Sequence, residues 1–272
     1  MIKNNFFFLN KIKNVCFLGQ TSIINQLIEI NSKLKINSLI ITSPDQKKKN
    51  QKQQFIFSEI NKKFKKFLIN KINPNETLFI SLGARWIFKK NDINNLFKKN
   101  IINFHGTRLP IDSGGGPLSW RILRNDRIGM QLAHVVSDKI DKGDILKSKK
   151  YLFPNWCKLP LEYENYHNSI FIKFYENLLK EILSKKKIKL KQQVDYIGNY
   201  NPRLNTKLNG WIDWNLTSYE ILNFINAFDD PYEGASTQIL GHKRVFLKKA
   251  LLHGGEITNH PFRTGLISRN DK

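Results

Sequence analysis

Two stretches of this 272-residue chain carry residue types that could act together: Asn103-Phe104-His105-Gly106-Thr107-Arg108-Leu109-Pro110 and Ser137-Asp138-Lys139-Ile140-Asp141-Lys142-Gly143-Asp144. In an extended strand, residues two apart share a face, so Asn103 and His105 project together. Asp141 sits in a turn-rich loop with two further carboxylates. Asn, His and Asp brought together form a coherent set for acyl transfer to an amine. An amine attacking an acyl carbon creates a negatively charged oxygen, and a carboxamide can donate to it without ionising. The imidazole can move the proton that the amine loses and the leaving nitrogen gains. A carboxylate beside it holds the imidazole tautomer and favours the charged form. No covalent nucleophile is needed, and neither Cys16 nor Cys157 has the pattern of a thiol–His pair. Taken alone, an Asn-x-His triplet is as ordinary as a polar strand end in a loop.

The elements that must position these residues read as follows. Val15–Gly19 and Ser38–Thr42 are short apolar strands flanking a helical pattern at Ile23, Ile24, Leu27 and Ile28. Continuous apolar strands separated by a helix predict a parallel sheet covered on both faces. Gly19-Gln20-Thr21 lacks the further glycines of a dinucleotide fingerprint, which argues against a nicotinamide cofactor. A polar basic loop is expected from Gln46 to Gln54, then a helix from about Phe55 to Ile69 and a third strand over Leu78–Gly83. A short helix capped by Asn91 or Asp92 leads to a fourth strand, Ile101–His105, which places Asn103 and His105 where open α/β sheets bind ligands. Leu118–Asn125 reads as a helix, Met130–Val136 as a strand, and Leu161–Leu183 as a long amphipathic helix with Tyr166, Ile170, Phe174, Leu178 and Ile182 at four-residue steps. Composition shifts near residue 198. Beyond it lie Trp211 and Trp214, a helix over Ser218–Phe228 and strand-like segments around Thr237 and Val245. The division is therefore an α/β domain over residues 1–198 and a small α+β region over 199–272. Trp211, Trp214, Phe224 and Phe228 read as core, and His134 as either a core histidine or a flank of the site.

Lys and Arg number 45 against 22 Asp and Glu, a formal net charge of +23. A polyanionic partner would account for this, but the lysines are scattered over many solvent faces without an aromatic-interleaved stripe, so charge does not choose the substrate. No apolar run reaches membrane-spanning length, and the short Phe6-Phe7-Phe8-Leu9 run does not make a secretory signal. Two cysteines give no disulfide framework and no metal spacing. A cytoplasmic setting is expected.

With the motifs in order, the chain resembles the 10-formyltetrahydrofolate-dependent formyltransferases, which include methionyl-tRNA, glycinamide ribonucleotide and nucleotide-sugar N-formyltransferases. Asn103 to Pro110 is similar to that family's Asn-x-His-x-Ser-x-Leu-Pro signature, and Ile140-Asp141-Lys142-Gly143-Asp144-Ile145 to its Leu-Asp-x-Gly-Asp-Ile loop. The resemblance implies a Rossmann-like α/β catalytic domain with a small α+β C-terminal region, and catalytic roles for Asn103, His105 and Asp141. It implies 10-formyltetrahydrofolate as co-substrate with no metal, its pterin lined by Ser81 to Phe88, including Arg85, Trp86 and Phe88, and facing a second wall at Val136, Ser137, Asp138 and Ile140. Arg108 and the Gly114-Gly115 loop are expected to hold the acceptor; Arg121 and Arg124 read either as further phosphate clamps or as solvated charges on a helix.

The chain departs from the family in ways that bear on the acceptor. Thr107 replaces the usual Ser, Arg108 a common Leu, and Ser113 stands where methionyl-tRNA enzymes usually carry Arg. The first-strand and Lys47–Gln54 regions lack the Pro-Ala-Gly-Arg-Gly-like loop of the tRNA enzymes, and the tail after Ala250 is short. Gly210-Trp211-Ile212-Asp213-Trp214 and Pro231–Ala235 resemble the C-terminal region shared by tRNA- and sugar-directed members, which lowers the glycinamide ribonucleotide reading. A nucleotide-linked amino-deoxysugar is the expected acceptor, with initiator Met-tRNA as the alternative and a non-catalytic folate or nucleotide-sugar binding module as the reading from another class. Expected partners are a small-molecule amine and a second copy of the chain in a homodimer, with no membrane.

Overall fold

The computed structural model describes residues 5–48, 54–194, 198–239 and 243–252. The element order is β1 (Phe6–Phe7), β2 (Asn14–Gly19), α1 (Ile24–Lys33), β3 (Asn37–Thr42), β4 (Gln54–Ile56), α2 (Lys62–Lys71), β5 (Thr77–Leu82), β6 (Ile101–His105), β7 (Asp112–Gly114), α3 (Pro117–Leu123), β8 (Ile128–Val135), β9 (Ile145–Leu152), α4 (Pro160–Leu183), β10 (Ile188–Lys189), β11 (Asn199–Asn201), α5 (Thr206–Asn209), α6 (Ser218–Ala227), β12 (Ala235–Ile239) and β13 (Lys243–Leu247). The chain forms two compact units. The first is Met1–Ser113, Gly129–Tyr151 and His167–Asn199; the second is Gly114–Ile128, Leu152–Tyr166 and Tyr200–Lys272. One crossing between units lies at residues 199 and 200, while 114–128 and 152–166 join the second unit from within the first 198 residues.

The first unit is built on a seven-stranded sheet in the order β4-β3-β2-β5-β6-β8-β9. Neighbours from β4 to β6 are parallel, and β8 runs antiparallel to β6. Strand alternation sends Val15, Phe17 and Ile80 into one core with α1 and the Phe171–Ile182 part of α4. It sends Cys16, Leu18 and Phe79 into a second core with Phe64, Leu68 and the Trp86–Phe97 segment. Both faces of the sheet are thus covered, the reason its central strands carry no polar alternation. Over the C-terminal half of α4 the buried side chains are Phe171, Phe174, Tyr175, Leu178, Leu179 and Ile182. A three-and-four spacing keeps one stripe inward where strict four-residue steps would drift around the helix.

Three expectations are corrected. The helix expected from Phe55 is replaced by β4, paired in parallel with β3, and α2 begins only after Asn61, whose side chain accepts from the Phe64 N–H at 3.1 Å. A short apolar run such as Phe55-Ile56-Phe57 fits strand and helix alike, and edge pairing decides it. The segment at Asp92–Leu96 is a single π-type turn, and Asn91 makes no cap. The Lys-rich β9 was not expected as a strand; lysines on an outer strand are compatible with an edge and defeat the period-2 signal.

In the second unit, α6 begins with a reciprocal capping box between Thr217 and Glu220. The β12–β13 hairpin pairs Ala235 with Leu247 through Ile239 with Lys243. Phe228 is buried, but Trp211 is 40% exposed and lies under the Arg244 guanidinium at 4.3 Å, so it is a surface stacking residue and not core. His253 and His260, whose compact turn segments mark them from the sequence as structural or rim residues, lie outside the described residues.

Candidate active site

The Asn103-Phe104-His105 strand end divides its side chains between two jobs. Phe104 packs against Phe171, Phe174 and Tyr175 of α4, with centroid distances of 5.0, 6.1 and 5.9 Å. That anchor turns Asn103 and His105 to the opposite face. Antiparallel register places His134 of β8 directly across from Asn103, and parallel register places Ser81 on its other side. Directly opposed residues share a face, so His134 joins the group.

Asp141 arrives from the β8–β9 loop in a left-handed conformation, φ 54°. Two contacts fix that loop. The Gln193 side-chain amide donates to the carbonyls of Asp141, at 2.9 Å, and Gly143, at 2.6 Å. Gly143 packs so closely on β8 that a side-chain carbon there would lie 1.7 Å from the Val135 carbonyl oxygen. Only glycine permits this approach.

Asp141 Oδ1 lies 3.6 Å from His105 Nδ1 and 3.7 Å from His134 Nε2, ion-pair distances somewhat long for direct hydrogen bonds. His134 Nδ1 is 2.9 Å from the Val135 carbonyl oxygen, which can only accept, so that nitrogen carries the proton. His134 Nε2 then accepts from Asn103 Nδ2 at 3.0 Å. The Asn103 amide is thereby oriented by a buried imidazole, and its second N–H is left for another acceptor. Burial holds the His105 imidazole below its ordinary range; the Asp141 carboxylate opposes this and His134 adds to it. Burial alone would raise the Asp141 carboxyl, but His134, His105 and Lys142 outweigh it and keep the group ionised. At neutral pH the pair is therefore a neutral imidazole beside a carboxylate. With Nδ1–H facing Asp141, His105 Nε2 is the atom able to take a proton, and it is buried without a partner among the described residues.

These residues line a cavity of about 480 Å³ that also takes in Arg85, Trp86, Phe88, Val136, Ser137, Asp138 and Ile140. Trp86 is buried with its indole N–H donated to the Ser58 carbonyl at 3.1 Å. Arg85 pairs with Asp45 at 2.9 Å, and Gln46 donates to the Gly83 carbonyl, so the loop after β3 braces this wall. Ile87 and Ile140 leave 68% and 71% of their surface exposed on the two walls. A mostly apolar cleft of this size with a few convergent polar groups suits a drug-sized heteroaromatic molecule. Among the described residues no cluster of His, Cys, Asp and Glu is arranged to hold a metal ion.

All three residues expected to do chemistry and all seven expected along the donor walls line this one cavity. The residues expected at the acceptor lie elsewhere. Arg108 donates Nε to Asp112 at 2.7 Å. Gly114 and Gly115 belong to the second unit, tight against Asn201 and Arg203. Arg121 is buried, donating to the Ile128 carbonyl, and the exposed Arg124 donates to Asn201; both partners lie in the second unit. Sequence reasoning left His134 undecided and missed Gln193. The strand pairing that sets His134 beside Asn103 is a long-range fact, and a lone Gln between charged segments carries no signal.

Comparison with known proteins agrees with this geometry. Residues 205–272 match the family model described as formyl transferase, C-terminal domain. The chain is 26% identical over 189 residues to the bifunctional polymyxin resistance protein ArnA of Wigglesworthia glossinidia brevipalpis, covering 67% of this chain and 27% of that protein. It is 30% identical over 210 residues to the methionyl-tRNA formyltransferase of Borreliella afzelii, covering 74% and 64%. It thus spans less than two thirds of either relative. Among solved structures, a 4-N formyltransferase from Francisella tularensis superposes with a TM-score of 0.71 at 19% identity, covering 89% of this chain and 98% of that one. The N-formyltransferase of Helicobacter canadensis in complex with folinic acid and dTDP-3-aminofucose gives 0.63 at 19% identity, covering 80% of each. The ordered motifs, the sheet that presents them and these matches point the same way: residues 205–272 match the formyl transferase C-terminal domain, and the chain is similar to formyltransferases over most of its length.

Proposed function

We propose that this protein transfers the formyl group of 10-formyltetrahydrofolate to a primary amine, and that the amine belongs to a nucleotide-linked amino-deoxysugar. The observation that carries the transfer reading is the convergence of Asn103, His105 and Asp141 on one cavity whose walls include Trp86, Phe88, Val136 and Ile140 beside Arg85, Ser137 and Asp138. The Trp86–Phe88 and Val136–Ile140 walls would hold the donor's planar ring system, and Asn103 lines the same cavity.

The neutral amine attacks the formyl carbon. The free Asn103 N–H donates to the oxygen as it becomes negative, and the His134 contact holds that amide in place beforehand. Neutral His105 accepts the amine proton at Nε2 while Asp141 stabilises the imidazolium across 3.6 Å. As the carbon–nitrogen bond to the donor's N10 breaks, His105 returns that proton to N10, so charge and protons balance. The products are an N-formyl amine and tetrahydrofolate.

The sugar acceptor is supported by the sequence departures at Ser113 and in the Lys47–Gln54 region, and by superposition over 99% of a sugar N-formyltransferase from Shewanella sp. FDAARGOS_354 with a TM-score of 0.68 at 17% identity. Initiator Met-tRNA is the second reading, favoured by the methionyl-tRNA formyltransferase among the sequence relatives. A screen of amino sugar nucleotides and Met-tRNA with the formyl donor, read by mass spectrometry as a gain of about 28 daltons, the mass of CO, decides between them. Donor binding without any formylated product from the panel would refute the transfer reading in favour of a binding module.

A further inference from the structure

Five buried side-chain nitrogen or oxygen atoms lack a partner among the described residues, and two of them, Gln20 Nε2 and His105 Nε2, belong to residues lining a second cavity of about 190 Å³. This cavity shares Gly83, Phe104 and His105 with the larger one and is otherwise walled by residues the proposed mechanism does not use, including Thr21, Gln131 and Asn168. His105 therefore belongs to the walls of both. Gln20 is put there by a forced turn: Gly19 closes β2 at φ 105°, where a side-chain carbon would lie 2.3 Å from the Leu82 carbonyl oxygen. The Gln20 N–H donates to that same carbonyl at 3.1 Å. Its Oε1 accepts from the Thr21 N–H at 3.0 Å, which fixes which end of the amide is nitrogen. The buried NH₂ group is left as a donor without an acceptor, an arrangement costly unless a ligand completes it.

The two atoms ask for complementary chemistry. His105 Nε2, with its other nitrogen facing Asp141, accepts a hydrogen bond and so suits an amine N–H. Gln20 Nε2 donates and so suits an oxygen. We propose that the smaller cavity receives the reacting end of the acceptor, and that Gln20 selects amines bearing a hydroxyl or carbonyl oxygen on the adjacent carbon. The volume is below the range of pockets that hold whole drug-sized ligands, so it takes one sugar ring or a short amino-acyl group and leaves the rest of the acceptor outside. The assignment rests on the formyl-transfer reading.

The test uses the full-length protein with saturating 10-formyltetrahydrofolate and two probe acceptors, dTDP-3-aminofucose and Met-tRNA, each with oxygen next to its amine. Gln20→Leu keeps the bulk and removes the donor; Gln20→Glu keeps the shape and puts an acceptor where the donor stood. For whichever probe the wild type formylates, both variants should lower kcat/KM for the acceptor about tenfold, the size of one lost hydrogen bond in a buried site. Affinity of both variants for 5-formyltetrahydrofolate should not move; the acid limb of the pH profile should hold for Gln20→Leu, whereas the carboxylate of Gln20→Glu should raise it through its charge on His105. Acceptor kcat/KM within twofold of wild type, or donor affinity falling in parallel, overturns the assignment while leaving the transfer reading intact. A wild type that binds 5-formyltetrahydrofolate yet formylates neither probe overturns the transfer reading itself and the assignment with it.

Discussion

Gly143→Ala is the perturbation that most directly tests whether the backbone positions the chemistry. The new methyl carbon would lie 1.7 Å from the Val135 carbonyl oxygen, 2.8 Å from its carbon and 3.3 Å from His134 Nδ1. A tolerable carbon–oxygen contact is about 3 Å, so the loop must move by more than about 1 Å. It cannot slide freely, because Gln193 holds the carbonyls on either side of Lys142. Asp141 would be carried away from His105, and a misplacement of about 1 Å costs roughly a hundredfold in turnover. The interaction at stake has a comparable size: a unit charge pair at 3.6 Å is worth roughly 1–5 kcal/mol for effective dielectric constants between those of water and a protein surface, about ten- to a few-thousandfold in rate. The assay is kcat for formyl transfer, with 5-formyltetrahydrofolate affinity and thermal unfolding as controls. Gly143→Ala should act through the same link as Asp141→Asn, so the double variant should be little worse than either single one. Turnover of Gly143→Ala within threefold of wild type, or strictly additive losses in the double variant, would refute this account.

Four further outcomes follow from the same geometry. Asn103→Ala should lower kcat by about 10²–10³-fold, the usual cost of one oxyanion donor, while steady-state donor affinity changes little; an equal loss in donor affinity would indicate a purely binding role. His105 is held below the ordinary histidine range, so the acid limb of kcat/KM should lie below pH 6.5. Asp141→Asn removes the one neighbouring charge that raises it, and the limb should move further down; an upward movement contradicts the electrostatic assignment. The same depression links to stability. The unfolded chain binds a proton at this residue below pH 6.5 that the native state refuses, so stability is fully present above that value and declines as pH falls toward the native pKa. His105→Gln should flatten that part of a urea-denaturation profile. Phe104→Ala removes the ring packed on three aromatic neighbours of α4 and should cost about 3 kcal/mol of unfolding free energy, measurable by chemical denaturation.

Local signals were enough to set out much of the molecule. Apolar runs gave β2, β3, β5 and β6 because a strand buried on both faces must be apolar throughout, and periodicity gave α4 and α6 because only one stripe of each meets a core. The Asn103–His105 spacing placed both side chains on one face through strand geometry alone, and the Asp141-Lys142-Gly143-Asp144 stretch was recognisable as a loop from its turn residues. Three-dimensional pairing decided the rest. Phe55-Ile56-Phe57 is equally good as helix or strand until β3 offers it hydrogen bonds, and Ile145–Leu152 becomes a strand through its place beside β8, against its own composition. His134 becomes the residue that orients Asn103 only when β8 aligns antiparallel to β6, a register no nearby residue encodes. Gln20 becomes a candidate selector only because the Gly19 turn leaves its amide nitrogen buried without a partner, and Gln193 matters only where it meets two carbonyls some fifty residues earlier in the chain. Residue type and local period are properties of a few neighbouring positions, whereas pairing, burial and the partner of a buried polar atom depend on which distant segments meet.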